Sequence, residues 1–292
     1  MTGPLTTVVV PASNAALVLA EQLAALAEQD YEGEWEVVVV DHRSSDGTGE
    51  IAAGFTTRLP TLRVVRCDRR GGANTARNFG ARAARGDLIA FCDADDVASA
   101  SWLRQLVSAF DVADIVGGAL ETERLNPPLA RRWRAGTQDL TLVDHALSAF
   151  LPFAPASNVA IRTEALWAAG GFAEEYRHGC DEMALMWRAQ RAGYRLDTAP
   201  EAVMHYRLRT RIAAVALQHF RYARMEPRLF KEFGALGMPR PTTRDAMERW
   251  RHVVITARGL VASPGERGEW CREAARGLGL AWGSLENRVF YL

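Results

Sequence analysis

At 292 residues the chain is long enough for one large α/β domain with an appendage, or for two modest domains, and its core needs no staples. Its 35 Lys and Arg balance 35 Asp and Glu, which excludes the overall basic field of a nucleic-acid or anionic-lipid binder, so any anionic ligand must be held by local charge. Cys67, Cys92, Cys180 and Cys271 form no CxxC pair, which excludes a zinc knuckle or a disulfide framework and reads as buried free thiols in a reducing compartment.

Met1 to Thr7 carries no basic region followed by an apolar core, and no stretch approaches the ~20 apolar residues of a membrane span, so a cytoplasmic location is expected. Thr6 to Val10 reads as a strand stopped by Pro11, and Ala15 to Glu28 as a helix with Ser13 or Asn14 as its cap. Trp35 to Val40 repeats the pattern, ending at Asp41, with a polar loop through Asp46 and Gly47 before a helix over Gly49 to Phe55. Leu62 to Arg66 predicts a third strand, Thr75 to Ala84 a helix, and Asp87 to Cys92 a fourth strand. Continuously apolar strands alternating with helices imply a parallel sheet covered on both faces, with ligands beyond the carboxyl ends of the strands. Ser13, Asn14, Asp41 and Asp93 fall on that rim.

Trp102 to Phe110 reads as helix, Asp114 to Glu121 as strand, and the stretch around Asn126 Pro127 Pro128 as irregular. A Pro-punctuated loop, Leu151 to Pro155, precedes a strand over Ala156 to Ile161 and a helix from Thr163 to Ala169 that stops at Gly170 Gly171. Asp181 to Ala192 reads as a helix stopped by Gly193, and Tyr194 to Tyr206 as a strand region. From about Arg207 onward, Arg-rich helical segments dominate.

Asp93, Asp95 and Asp96 lie within four positions at a strand end, and carboxylates so close repel unless they share a cation. Mg²⁺ or Mn²⁺ with a diphosphate suits such a cluster; a helix N-cap before Ala98 to Phe110 is the plain alternative. Arg77, at a helix start beside the rim, suits a diphosphate or a base carbonyl, or else a simple ion pair with Asp87 or Asp93.

Taken together, Val8 to Asn14, Val40 to Thr48, Gly72 to Gly80, Asp87 to Asp96, Ala156 to Phe172 and Asp181 to Arg195 resemble family 2 glycosyltransferases in order and spacing, over roughly Thr7 to Arg207. The resemblance implies the GT-A fold, an α/β architecture with a Rossmann-like, mostly parallel central sheet flanked by helices. It implies a catalytic domain over residues 1–206, with a nucleotide-sugar half (1–96) and an acceptor half (97–206), and a helical C-terminal extension over 207–292. The implied activity is an inverting hexosyl or related transfer from a nucleoside diphosphate sugar, UDP-sugar favoured, to an acceptor hydroxyl, with Mn²⁺ or Mg²⁺ as cofactor.

By the same resemblance Pro11, Ala12, Ser13, Asn14, Asp41, Arg77, Asp93 and Ala94 bind the nucleotide sugar, and Asp95 and His205, with Asp93, hold the metal. Asp181 Glu182 stands where the family has Glu Asp, so Glu182 occupies the position of the general base and Asp181 is its rival. His42 departs from the family, which has a second Asp there. Asp96 is assigned no more than a capping role.

Arg207, Arg209, Arg211, Arg221 and Arg224 suit a pyrophosphate, a charged acceptor or peripheral contact at the inner face of a membrane, with a solvated helix face as the default. Trp250, Trp270, Trp282, Phe290 and Tyr291 are expected to pack the tail onto the catalytic domain, with a homodimer as the other use of such residues. A dinucleotide-dependent oxidoreductase is excluded because Pro11 Ala12 Ser13 Asn14 stands where GxGxxG would be, and a pyrophosphorylase because the Gly-rich basic loop is missing. An inactive, GT-A-shaped binding or scaffold protein is the remaining alternative.

Overall fold

The computed structural model describes residues 4–59, 61–134 and 150–291. Its strands are β1 (Thr6–Ala12), β2 (Trp35–His42), β3 (Leu62–Cys67), β4 (Leu88–Cys92), β5 (Val97–Ala98), β6 (Ile115–Glu121), β7 (Asn158–Arg162) and β8 (Leu196–His205). They form one sheet in the order β3-β2-β1-β4-β7-β6-β8-β5. The first four run parallel, as do β6 and β8. The sheet is mostly parallel, as expected, and its antiparallel members are β7, which runs against both β4 and β6, and β5, which runs against β8. A strand buried on both faces shows the same apolar run in either direction, so the sequence of β7 carries no mark of its orientation.

The helices are α1 (Leu19–Ala27), α2 (Thr48–Gly54), α3 (Ala73–Ala83), α4 (Trp102–Ser108), α5 (Pro128–Arg132), α6 (Thr163–Ala168), α7 (Asp181–Arg191), α8 (Ile212–Phe233), α9 (Thr243–Ile255) and α10 (Pro264–Asn287). Alternation along the strands splits the sheet into two cores. Val8, Val10, Val37, Val39 and Ala90 face one core with Leu19, Leu23 and Leu26 of α1 and Leu103 of α4. Val9, Val38, Val40 and Phe91 face the other with Ala76 of α3 and Leu185 of α7. That second core also takes in Leu229 and Phe233 of α8 and Leu280 of α10, so the C-terminal helices are anchored on the sheet side of the molecule. Among the described residues no helix is long and apolar enough to cross a membrane.

Two local expectations are corrected. β1 runs through Pro11 to Ala12 because its pairing with β4 has already ended at Val9, leaving one side of the strand unengaged where the N–H is missing. Helix α1 starts at Leu19, behind Val18, with no side-chain cap. Asn14 instead takes a left-handed φ of 48°. Its side-chain oxygen accepts from the Ser45 N–H at 3.0 Å, while the N–H groups of Ala15 and Ala16 donate to Thr48 and Asp46. The candidate cap is used to tie the loop after β1 to the loop after β2.

Helix α3 lies close on the sheet at Gly80, where a Cβ would run into Val9 and come within 2.8 Å of Val40 Cγ2. Gly80→Ala is therefore expected to cost about 1–3 kcal/mol through overpacking, more than a mid-helix Ala gains in propensity, and a urea melt checks it.

Candidate active site

Burial of β4 on both faces carries the chain straight to Asp93, and the next residues turn at once into β5. Among the described residues, Asp93, Asp95 and Asp96 form the group whose carboxylate oxygens lie within 4.8 Å of one another. The helix-cap reading does not hold: α4 begins only at Trp102, behind Ser101, and β5 stands between. Asp96 is fully buried; its Oδ1 accepts from the Arg207 N–H at 2.8 Å and its Oδ2 has no partner. Burial raises the Asp95 carboxyl, and Asp93 raises it further; the same causes, with Asp95 added, push Asp96 well above the carboxylate range. An orphaned buried oxygen among crowded carboxylates fits a hard divalent cation.

The turn is fixed from behind by Gln22 of α1, whose amide donates to the Asp93 carbonyl at 3.3 Å while its oxygen accepts from the Ala98 N–H at 2.9 Å. Sequence reading passed over Gln22. Its signal was a polar residue among Leu19, Leu23 and Leu26 on the buried face of a helix.

His205 lies outside the group of three aspartates, at the end of β8, paired with Val97. Its Nδ1 is 2.5 Å from the Glu121 carboxylate, which leaves Nε2 available, an arrangement common to histidine ligands held by a carboxylate. The segment after it carries three of the five arginines of the basic cluster, and two of them, Arg207 and Arg209, turn onto the aspartates rather than forming a solvated helix face. Arg207 donates to the Asp95 carbonyl at 2.7 Å, and Arg209 pairs with the Asp95 carboxylate at 3.3 Å. Arg224 instead pairs with Glu286 of α10.

Arg77 of α3 joins the two acidic groups of the site. It meets Asp93 at 2.7 Å and Asp181 at 3.5 Å, so of the plain partners named for it the structure has Asp93, not Asp87. Burial works against its charge, but Asp93 and Asp181 outweigh it. Asp181 and Glu182 open α7 behind Cys180, which has φ 64°. Burial raises Asp181 despite Arg77; burial, and then the charge of Asp181, push Glu182 up to about 8. Arg77, Asp93, Asp181 and Glu182 line one cavity of about 820 Å³, whose far wall is built by α8 residues including Val215 and Tyr222. That volume suits a small-molecule substrate site.

At the other end of the rim, Asp41 is already paired: Arg66 of β3 reaches it at 2.7 Å and the Ser44 N–H at 3.3 Å. Burial would raise Asp41, but Ser44 and Arg66 hold it below the usual carboxylate range. Arg66 was not foreseen. His42 is buried and its Nε2 lies 2.9 Å from the Arg69 carbonyl. Pro11, Ala12, Ser13 and Asn14 lie beside this pair on the same edge; Ala94 is buried in the acidic turn.

Helix α3 also holds the far half in place. Asn78 donates to the Phe172 carbonyl at 2.7 Å and accepts from the Phe172 N–H at 2.9 Å, and Asn74 donates to the carbonyls of Ala173 and Tyr176. Gly171 (φ 70°) has no room for a Cβ beside Asn78. Asn78→Ala leaves both polar groups of Phe172 without partners, an expected loss of roughly 2–4 kcal/mol, read by chemical denaturation.

The α/β sheet, with its aspartate cluster at the end of the fourth strand, is of a kind that known proteins share. Residues 7–170 match the model described as glycosyl transferase family 2, and the chain belongs to that family. AglE, a glycosyltransferase of Haloferax volcanii, is 37% identical over 123 residues, 41% of this chain and 40% of its own length. The match thus spans well under half of that relative. Among solved structures, the mannosyltransferase PcManGT of Pyrobaculum calidifontis, in complex with GDP-Man and Mn²⁺, superposes with a TM-score of 0.67 at 20% identity, covering 96% of this chain and 87% of its own. S. aureus TarS in complex with UDP-GlcNAc gives 0.54 at 18% identity, covering 98% and 93%. The fold is GT-A.

Proposed function

We propose that the chain is an inverting glycosyltransferase that moves a sugar from a nucleoside diphosphate sugar to an acceptor hydroxyl with the help of a divalent cation. The observation that carries this reading is the Arg77 bridge, which joins a carboxylate cluster suited to a cation, through Asp93, to the carboxylate pair that opens α7, through Asp181. Neighbours of the same fold hold GDP-Man with Mn²⁺ and UDP-GlcNAc, which supports the donor class.

Asp95, with Asp93 and His205, would hold Mn²⁺ or Mg²⁺, which when bound neutralises the departing diphosphate. Asp41, the edge from Pro11 to Asn14 and Ala94 border the nucleotide sugar, and Arg77 keeps a positive charge beside the donor. Glu182 takes the proton of the acceptor hydroxyl as that oxygen attacks the anomeric carbon from the face opposite the diphosphate. Glu182 is favoured over Asp181 because Asp181 faces Arg77 at 3.5 Å, while burial and the charge of Asp181 raise Glu182. On this reading residues 1–96 serve the donor, 97–206 the acceptor, and 207–292 close the cavity through α8.

The test is a thermal-shift screen of nucleotide sugars with and without Mn²⁺, followed by NMR of the anomeric configuration of the product. Cation-dependent stabilisation by one donor and an inverted product are expected. Cation-independent binding without turnover would mark a binding protein instead, and retention of configuration would remove the base assigned to Glu182.

A further inference from the structure

The neutral chain is electrically divided: residues 1–206 hold 19 Lys and Arg against 27 Asp and Glu, and residues 207–292 hold 16 against 8. The basic part also has an apolar tip. The end of α9 and the turn that follows it expose Val254 by 72%, Ile255 by 62%, Leu260 by 40% and Val261 by 86%. Four bare aliphatic side chains within eight residues are not scattered surface apolars but a contact patch.

The tip is rigid. Trp270 of α10 donates to the Val253 carbonyl at 2.8 Å, and the Trp250 ring would be 3.2 Å from a Cβ at Gly277, so α9 and α10 are locked side by side. Arginines outnumber carboxylates around it. Between Arg249 and Arg267 the sequence has four arginines and one carboxylate, Glu266, which is taken up by Ser263 in the cap of α10. Arg251 and Arg258 are exposed, and Arg267 is seated at the rim by donating to the Leu260 carbonyl at 2.9 Å. Expectation of a fully packed tail also fails here: Tyr291 is buried, but Trp282 and Phe290 stay 53% and 49% exposed.

We propose that this tip docks on the surface of an anionic lipid bilayer, with Val254, Ile255 and Val261 entering the interface and Arg251, Arg258 and Arg267 facing lipid phosphates. Apolar insertion and attraction to anionic headgroups reinforce each other in one small patch. A second copy is the poorer occupant, because two such faces carry the same charge, and side chains as exposed as Val261 describe a protrusion rather than a hollow.

The test is flotation of the chain with phosphatidylglycerol-containing vesicles and with pure phosphatidylcholine vesicles. At least tenfold preference for the anionic vesicles is expected, weakened at about 0.5 M salt. Val254→Asp/Val261→Asp is expected to lower binding more than tenfold, and Arg251→Gln/Arg258→Gln several-fold, with unchanged melting temperature and unchanged nucleotide binding. Equal flotation of parent and both variants, failure of the parent to float, or a dimer in sedimentation that either variant dissolves would overturn the proposal.

Discussion

Asp95→Ala is expected to lower the transfer rate about 10³-fold and to abolish stabilisation by Mn²⁺, without harming the fold. The other aspartates cannot substitute for it. Asp93 has one oxygen on Arg77 and only the other for the cation, and Asp96 spends one oxygen on the Arg207 N–H and buries the other. Asp95 is also raised by burial and by Asp93, so its removal relieves repulsion that the folded protein otherwise carries. The melting temperature without cation should therefore be unchanged or higher. Transfer assays, calorimetric titration of Mn²⁺ and a thermal melt measure the three effects. A variant that keeps transfer within threefold of the parent would end the assignment of Asp95.

Glu182→Gln should cost about 10²- to 10⁴-fold in rate, the usual range for a lost general base. In the parent, Glu182 must be ionised to accept a proton, and it is held at about 8, so the rate should climb about tenfold per pH unit below 8 and level off above it. The variant should lose that slope. Stability moves the other way. With a folded value of about 8 against an ordinary 4.5, Glu182 favours the folded state while protonated, and this contribution disappears as the pH rises from 4.5 through 8. Glutamine stays neutral throughout, so Glu182→Gln should melt higher than the parent at pH 9 and nearly equal to it at pH 5. Asp181→Asn is different in kind: it removes the second partner of Arg77, and a loss of rate without a loss of pH slope would identify it as a positioning residue. If Asp181→Asn abolished the slope and Glu182→Gln kept it, the two roles would be exchanged.

The parallel half of the sheet was legible because β1, β2 and β4 each carry an apolar run that leads to a polar rim residue. The helix stops at Gly170 and Gly193 were legible because a left-handed backbone selects glycine, and both have positive φ. What escaped was partner choice. Gln22 meets Asp93 across 71 residues, Arg66 meets Asp41 across 25, and Glu121 meets His205 across 84. Those pairs are set by sheet register and by helix placement on the sheet, and no local pattern encodes either. Asn14 shows the same from the other side: its sequence context says cap, but a loop 31 residues away offers it a better partner.

The asparagine bonds of α3 have a consequence for how the molecule is made. They join residues 94 to 102 positions apart, and they hold the turn that precedes Asp181. Closing such long loops loses chain entropy before the contacts can return it. The contacts that seat the turn before Asp181 against α3 are therefore expected to form late in folding.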